Sequence, residues 1–159
     1  MFRSHPYLSV ATFGYLAVVA WLTLSPQAPD QRDGPLWQLA LLLDRYPATQ
    51  WLTFNDLEFV ANIALFVPLG LFFVLLVGKR RWWLAFGLAV MLTVGIEWVQ
   101  QFIPSRVSDA RDIVSNSLGA AIGVVITLII AAARHRARRS LSPRGRAIAS
   151  GRRLSRDRV

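Results

Sequence analysis

Glu58, Glu97 and Asp112, with Asn62, Gln100 and Asn116, are the polar residues that an otherwise apolar chain has least reason to carry. Four of them belong to two similar stretches, Asn55-Asp-Leu-Glu58-Phe-Val-Ala-Asn62 and Asp109-Ala-Arg-Asp112-Ile-Val-Ser-Asn116. Each stretch sets a carboxylate four residues before an asparagine. On a helix that spacing puts both groups on one face, about 6 Å apart along the axis. Polar groups repeated at matching depths in membrane-spanning helices mark a functional site by default. Two chemistries suit them. Arg106 and the positive N-terminal ends of the two helices would hold an anion, such as a lipid phosphate or a carboxylate. Alternatively, Glu58, Glu97 and Asp112 would hold a hard cation or move a proton. Both readings stand on the sequence. Ser105, Ser108 and Ser115 have no histidine or lysine close by to act as a base, so nothing points to a hydrolase.

Plainer roles compete with these. Asn55 and Asp109 fit helix N-caps, and Glu58 and Asp112 follow three residues later, where a carboxylate favours a helix start. Capping does not account for Asn62 and Asn116, which lie a turn deeper and need partners. An interhelical hydrogen bond there is worth about 0.6–2 kcal/mol. Glu97 sits about 9 Å inside the end of its apolar run, where an ionised carboxylate must be paired or face water. A pair with Arg106 and a functional carboxylate in a wet cleft are the two readings of it. Gln100 and Gln101 share or adjoin its face.

The elements that must position these residues are apolar runs close to the length of a membrane span. They are Tyr7–Leu24, Phe59–Val77, Trp82–Ile103 and Ile113–Ala133. With 54% hydrophobic residues and a mean hydropathy of +0.41, the chain reads as an all-α, four-span transmembrane helix bundle. The two similar stretches predict that spans one and two are related to spans three and four about an axis along the membrane normal. Arg3 before the first run resembles a signal peptide, but no clean A-x-A site follows, so the run is kept as a span. Leu36–Leu43, between the first two spans, is apolar but short. It reads as an interfacial helix, a re-entrant piece or an ordered loop with aromatic anchors.

The net charge of +9 belongs to one end of the chain. From Arg134 onward there are ten arginines and one acid, whereas residues 1–133 balance at eight of each sign. The expected organisation is a transmembrane domain over 1–133 and a disordered arginine-rich tail over 134–159. Lys79-Arg80-Arg81 and the tail fall on one side with an even number of spans, which predicts both termini in the cytoplasm and the polar stretches outside. The tail's charge suits anionic lipid and does not require nucleic acid. With no cysteine and two remote histidines, neither a metal site nor a cofactor is expected. Gly119 and Gly123 form G-x-x-x-G, a packing signal that also offers a seam for a homodimer. Pro68 predicts a kink in the second span.

Read together, Asn62-Ile-Ala-Leu-Phe66-Val-Pro68-Leu-Gly70, Glu97-Trp-Val-Gln100, Pro104-Ser-Arg106 and Asp112-Ile-Val-Ser-Asn116-Ser-Leu-Gly119, with Gly123, resemble the VanZ-like family. The resemblance covers about residues 55–125. It implies a small multi-span protein of the bacterial cell envelope, whose namesake is linked to low-level antibiotic resistance toward the glycopeptide teicoplanin. It carries no established catalytic mechanism. Its shared polar positions correspond to Glu58, Asn62, Glu97, Gln100, Arg106, Asp112 and Asn116. The leading expectation is a plasma-membrane protein acting at the outer leaflet on lipid-linked precursors or lipidated glycopeptides. Glu97, Asp112 and Glu58 are its reactive candidates, and Arg106, Gln100, Asn62 and Asn116 its binding candidates. The alternatives are a membrane enzyme acting on lipid headgroups, or a non-catalytic assembly factor or transporter subunit.

Overall fold

A computed structural model describes residues 6–25, 34–104 and 109–140. They form five α-helices and, among the described residues, no strand: α1 Pro6–Leu24, α2 Pro35–Asp44, α3 Phe54–Val77, α4 Trp82–Gln100 and α5 Ala110–Ser140. Four of these, all but α2, are long and apolar enough to cross a membrane. The four-span, all-α expectation is met.

The distribution of side chains follows from the solvent. Val10, Phe13, Trp21, Met91 and Ile129 are exposed, whereas Thr12, Thr93, Glu97, Gln100, Ser115, Asn116 and Thr127 are buried. A helix bundle in water would invert this order. In hydrocarbon, apolar surface costs nothing and polar groups must find partners inside. Buried hydroxyls find them locally: Thr12 donates to the Leu8 carbonyl and Thr127 to that of Gly123, both at 2.8 Å.

Helix ends are set by short signals. Pro35 occupies the first turn of α2, where its missing N–H costs nothing. Thr53 caps α3: its hydroxyl accepts from the Asp56 N–H, and Asp56 accepts from the Thr53 N–H at 2.9 Å. The expected cap at Asn55 is therefore displaced by two residues, because Thr53-x-x-Asp56 closes a reciprocal capping box. Glu58 is released from capping and lies in the second turn. Gly78, at φ +93°, ends α3 in a conformation that glycine adopts freely. Lys79–Arg81 then make one tight 3₁₀ turn into α4. Helix α3 continues through Pro68 as one element.

Helices α3 and α5 run parallel, as the two similar stretches predict, and share the most extensive contact among the described helices. Glycine makes this contact. A Cβ on Gly119 would fall on the Ile63 carbonyl, one on Gly123 on the Val67 carbonyl, and one on Gly70 on the Ala120 carbonyl. The G-x-x-x-G motif is thus used inside the chain, between its second and fourth spans. Val19, Phe66, Leu69 and Ile96 join α1, α3 and α4, and Val74, Ala85 and Val124 join α3, α4 and α5. The Tyr15 hydroxyl donates to the Leu65 carbonyl at 2.9 Å, tying α1 to α3.

Helix α5 runs on through Ser140, so residues 134–140, assigned from sequence to the tail, are helical. Alanine and arginine are good helix formers, and the next proline is Pro143. Residues 141–159 lie outside the described residues.

Candidate functional site

The site lies where α1 and α4 end and α3 and α5 begin. Starts and ends of helices meet there because consecutive spans run in opposite directions. The return from α4 to α5 is tied by Glu97, whose Oε2 accepts the Asp109 N–H at 3.1 Å. Asp109 caps α5 as expected, accepting from the Arg111 N–H at 2.8 Å. One carboxylate therefore fixes the turn, and the next holds the first helical N–H groups.

Three amides extend the network. Asn62 donates to Asp112 Oδ1 at 2.8 Å, linking α3 to α5. Asn116 donates to Thr93 Oγ1 at 2.8 Å, linking α5 to α4. Gln100 donates to the Thr23 carbonyl at 2.9 Å, satisfying one of the last carbonyls of α1. The two asparagines hold equivalent places in the two similar stretches but bond to different helices. The repeat is one of position and not of bonding.

Glu58, Asn62, Glu97, Gln100, Asp112 and Asn116 all line a single recess of about 300 Å³. Leu22, Leu36, Leu65 and Ile96 form its apolar side. Glu97 is 4% exposed, Gln100 5% and Asn116 3%. A smaller hollow of about 50 Å³ adjoins it, sharing Glu58 and Asp112 and lined also by Asn55, Phe59, Asp109 and Arg111. The Arg111 guanidinium lies 5.9 Å from the Phe59 ring centre, within cation–π range. Arg106, the remaining sequence candidate, lies outside the described residues, as do Ser105 and Ser108. Ser115 is buried and donates to the Asp112 carbonyl at 3.1 Å.

The electrostatic character of the recess follows from how its amides are used. All three amide nitrogens donate to the protein itself. The oxygens Gln100 Oε1 and Asn116 Oδ1 are buried and accept no hydrogen bond from the described residues. Both residues line the recess, which therefore offers two buried acceptors. Buried acceptors of this kind call for a donor. Among the described residues no three acidic, histidine or cysteine side chains stand close enough to hold a metal ion. The donors that suit the recess are hydroxyl, amide N–H and ammonium groups.

Sequence reading missed four contributors. Thr93, the partner of Asn116, precedes Glu97 by four residues, and that shared helical face was the available signal. Leu22 and Thr23 come from the end of α1, and Leu36 from α2. Their place follows from tertiary packing, for which the sequence has no local sign.

No curated protein and no solved structure matches the chain. The VanZ/LLP1 family model matches residues 12–131, which take in the second and third spans whole, most of the first and fourth, and every residue of the recess, and the chain therefore belongs to the VanZ/LLP1 family.

Proposed function

We propose that this membrane protein binds the polar part of an amphiphile of the bacterial cell envelope in its acceptor-lined recess, and that this binding alters susceptibility to lipidated, teicoplanin-type glycopeptides. The observation that carries the reading is the convergence of six polar side chains, three of them almost fully buried, on one recess with an apolar wall. A donor-bearing headgroup would meet the acceptors, and its lipid portion the leucines. At about 300 Å³ the recess is at the small end of ligand pockets. It suits one sugar or one amine-bearing group of a larger molecule.

Orientation follows from charge. Lys79, Arg80, Arg81, Arg134, Arg136 and Arg138 gather at the end of the bundle away from the recess. Short basic segments stay in the cytoplasm, so the recess opens at the outer leaflet of the plasma membrane, and both termini are cytoplasmic. Candidate partners there are lipid-linked envelope precursors and lipidated glycopeptides themselves.

The test is expression of the wild-type chain, Glu97→Gln and Arg106→Ala at matched protein levels in a susceptible bacterium. Growth inhibition by a lipidated and by a non-lipidated glycopeptide is measured, together with surface binding of a fluorescent lipidated one. The proposal expects the wild type to shift the lipidated compound selectively and Glu97→Gln to lose that shift. Unchanged susceptibility and surface binding in both variants would end it.

A further inference from the structure

A second cavity, of about 450 Å³, lies at the opposite end of the bundle. Its origin is a mismatch in helix length. Helix α3 stops at Val77, whereas its parallel neighbour α5 continues to Ser140. The overhang leaves a groove beside the last turns of α3. Leu71, Leu75 and Ile130 form its apolar floor, and Lys79, Arg134 and Arg138 its mouth. His135 also lines it, and among the described residues no acidic one does. Along α5, Arg134 is about 33 Å from Asp112 in the first recess. That separation is close to the hydrocarbon thickness of a bilayer, about 30 Å. The mouth of the groove therefore lies at headgroup level in the leaflet opposite the recess.

We infer that this groove is a binding site for an anionic phospholipid, with phosphate at Lys79, Arg134 and Arg138 and an acyl chain along Leu71, Leu75 and Ile130. The charge is complementary and comes from two elements. Lys79 belongs to the α3–α4 turn and the arginines to α5, so a bound phosphate bridges them. Arginine forks match phosphate oxygens with paired N–H donors, and lysine adds a point charge. Three fixed cations exceed the charge of one phosphodiester, so a lipid with two phosphates is preferred over a lipid with one. A zwitterionic lipid, whose own ammonium meets the cations, binds least. The lipid would brace the overhanging turns of α5 against the α3–α4 link, where protein contact is thin.

Native mass spectrometry of the full chain, released from nanodiscs holding equal amounts of cardiolipin, phosphatidylglycerol and phosphatidylcholine, tests the site. One cardiolipin per chain is expected to stay bound, favoured at least about tenfold over phosphatidylcholine. Lys79→Gln/Arg134→Gln/Arg138→Gln is expected to remove that preference. Arg152→Gln/Arg153→Gln/Arg156→Gln, which deletes as much charge from the tail, is expected to keep it. Excess inorganic phosphate is expected not to displace the lipid, because the apolar floor gives phosphate alone no hold. Equal retention of all three lipids, equal loss in the two triple variants, or displacement by phosphate would each overturn the assignment. Thermal unfolding of the groove variant in detergent without lipid, matched to wild type, separates a lost site from a lost fold.

Discussion

Asn62 donates its amide hydrogen to Asp112 across the seam between α3 and α5, with Nδ2 2.8 Å from Oδ1. These two helices carry the glycine contacts, and the bond closes the end of their interface that faces the recess. It also joins a residue of the first similar stretch to one of the second. A binding candidate and a reactive candidate of this chain are therefore structural partners, and a variant at either position changes folding and site together.

Separating the two effects needs a cycle. Asn62→Ala and Asp112→Ala each remove the bond, and the double variant is expected to cost less than the sum of the two. The coupling should be about 0.6–1.7 kcal/mol, the range for hydrogen bonds between membrane helices. Reversible unfolding in mixed micelles measures it. Strict additivity would mean that the contact contributes nothing to stability.

The glycine seam makes a sharper prediction. Gly119→Ala and Gly123→Ala put a Cβ against backbone carbonyls, which cannot yield as a flexible side chain would. Each should destabilise by about 1–3 kcal/mol. Gly87→Ala on α4 meets nothing within 4 Å and should be neutral or mildly stabilising, by up to about 1 kcal/mol. Because the seam is internal, the first two variants should lower the unfolding temperature without changing the mass of the detergent-solubilised species. A change of oligomeric state with unchanged stability would move the motif back to a subunit interface.

Glu97 separates geometry from charge. Its Oε2 holds the Asp109 N–H that opens α5. Glu97→Gln retains an oxygen for that bond and should be the more stable of the two variants tested. Glu97→Leu leaves the N–H without its acceptor and should cost about 1–3 kcal/mol. Melting curves of the two purified variants decide this. Equal curves would show that the turn does not depend on the bond.

How much of this was legible in the sequence depends on the range of each interaction. The four spans were plain, because length and apolarity are local properties of a segment. Six of the seven polar candidates meet in one recess, and their shared depth at span ends was readable from residue counts alone. The first cap was misplaced because two signals, Thr53-x-x-Asp56 and Asn55-x-x-Glu58, overlap, and only backbone geometry chooses between them. The glycine motif was recognisable as a close contact, but its partner was not, since G-x-x-x-G serves equally within a chain or between chains. Thr93 was overlooked because a threonine in a membrane helix usually satisfies itself on the preceding turn, as Thr12 does. The basic overhang reads as tail by its charge, whereas its alanines and arginines favour continued helix.

Orientation in the membrane can be read directly, because the chain contains no cysteine and any introduced thiol is unique. Gln50 and Arg80 are exposed at opposite ends of the bundle, Gln50 between α2 and α3 and Arg80 in the α3–α4 turn. Gln50 is exposed and donates to the Asp44 carbonyl at a long 3.3 Å, so its replacement should cost well under 1 kcal/mol. Arg80→Cys removes one of three adjacent cations and leaves Lys79 and Arg81 to hold the topology. In intact cells, a membrane-impermeant maleimide should label Gln50→Cys and spare Arg80→Cys. After permeabilisation both should react. The reverse pattern would put the recess on the cytoplasmic side, where it could not meet glycopeptides at the cell surface, while the lipid assignment for the basic groove would move to the outer leaflet. Labelling of both in intact cells would mean mixed insertion, with Lys79–Arg81 and α5's basic end too weak to choose a side.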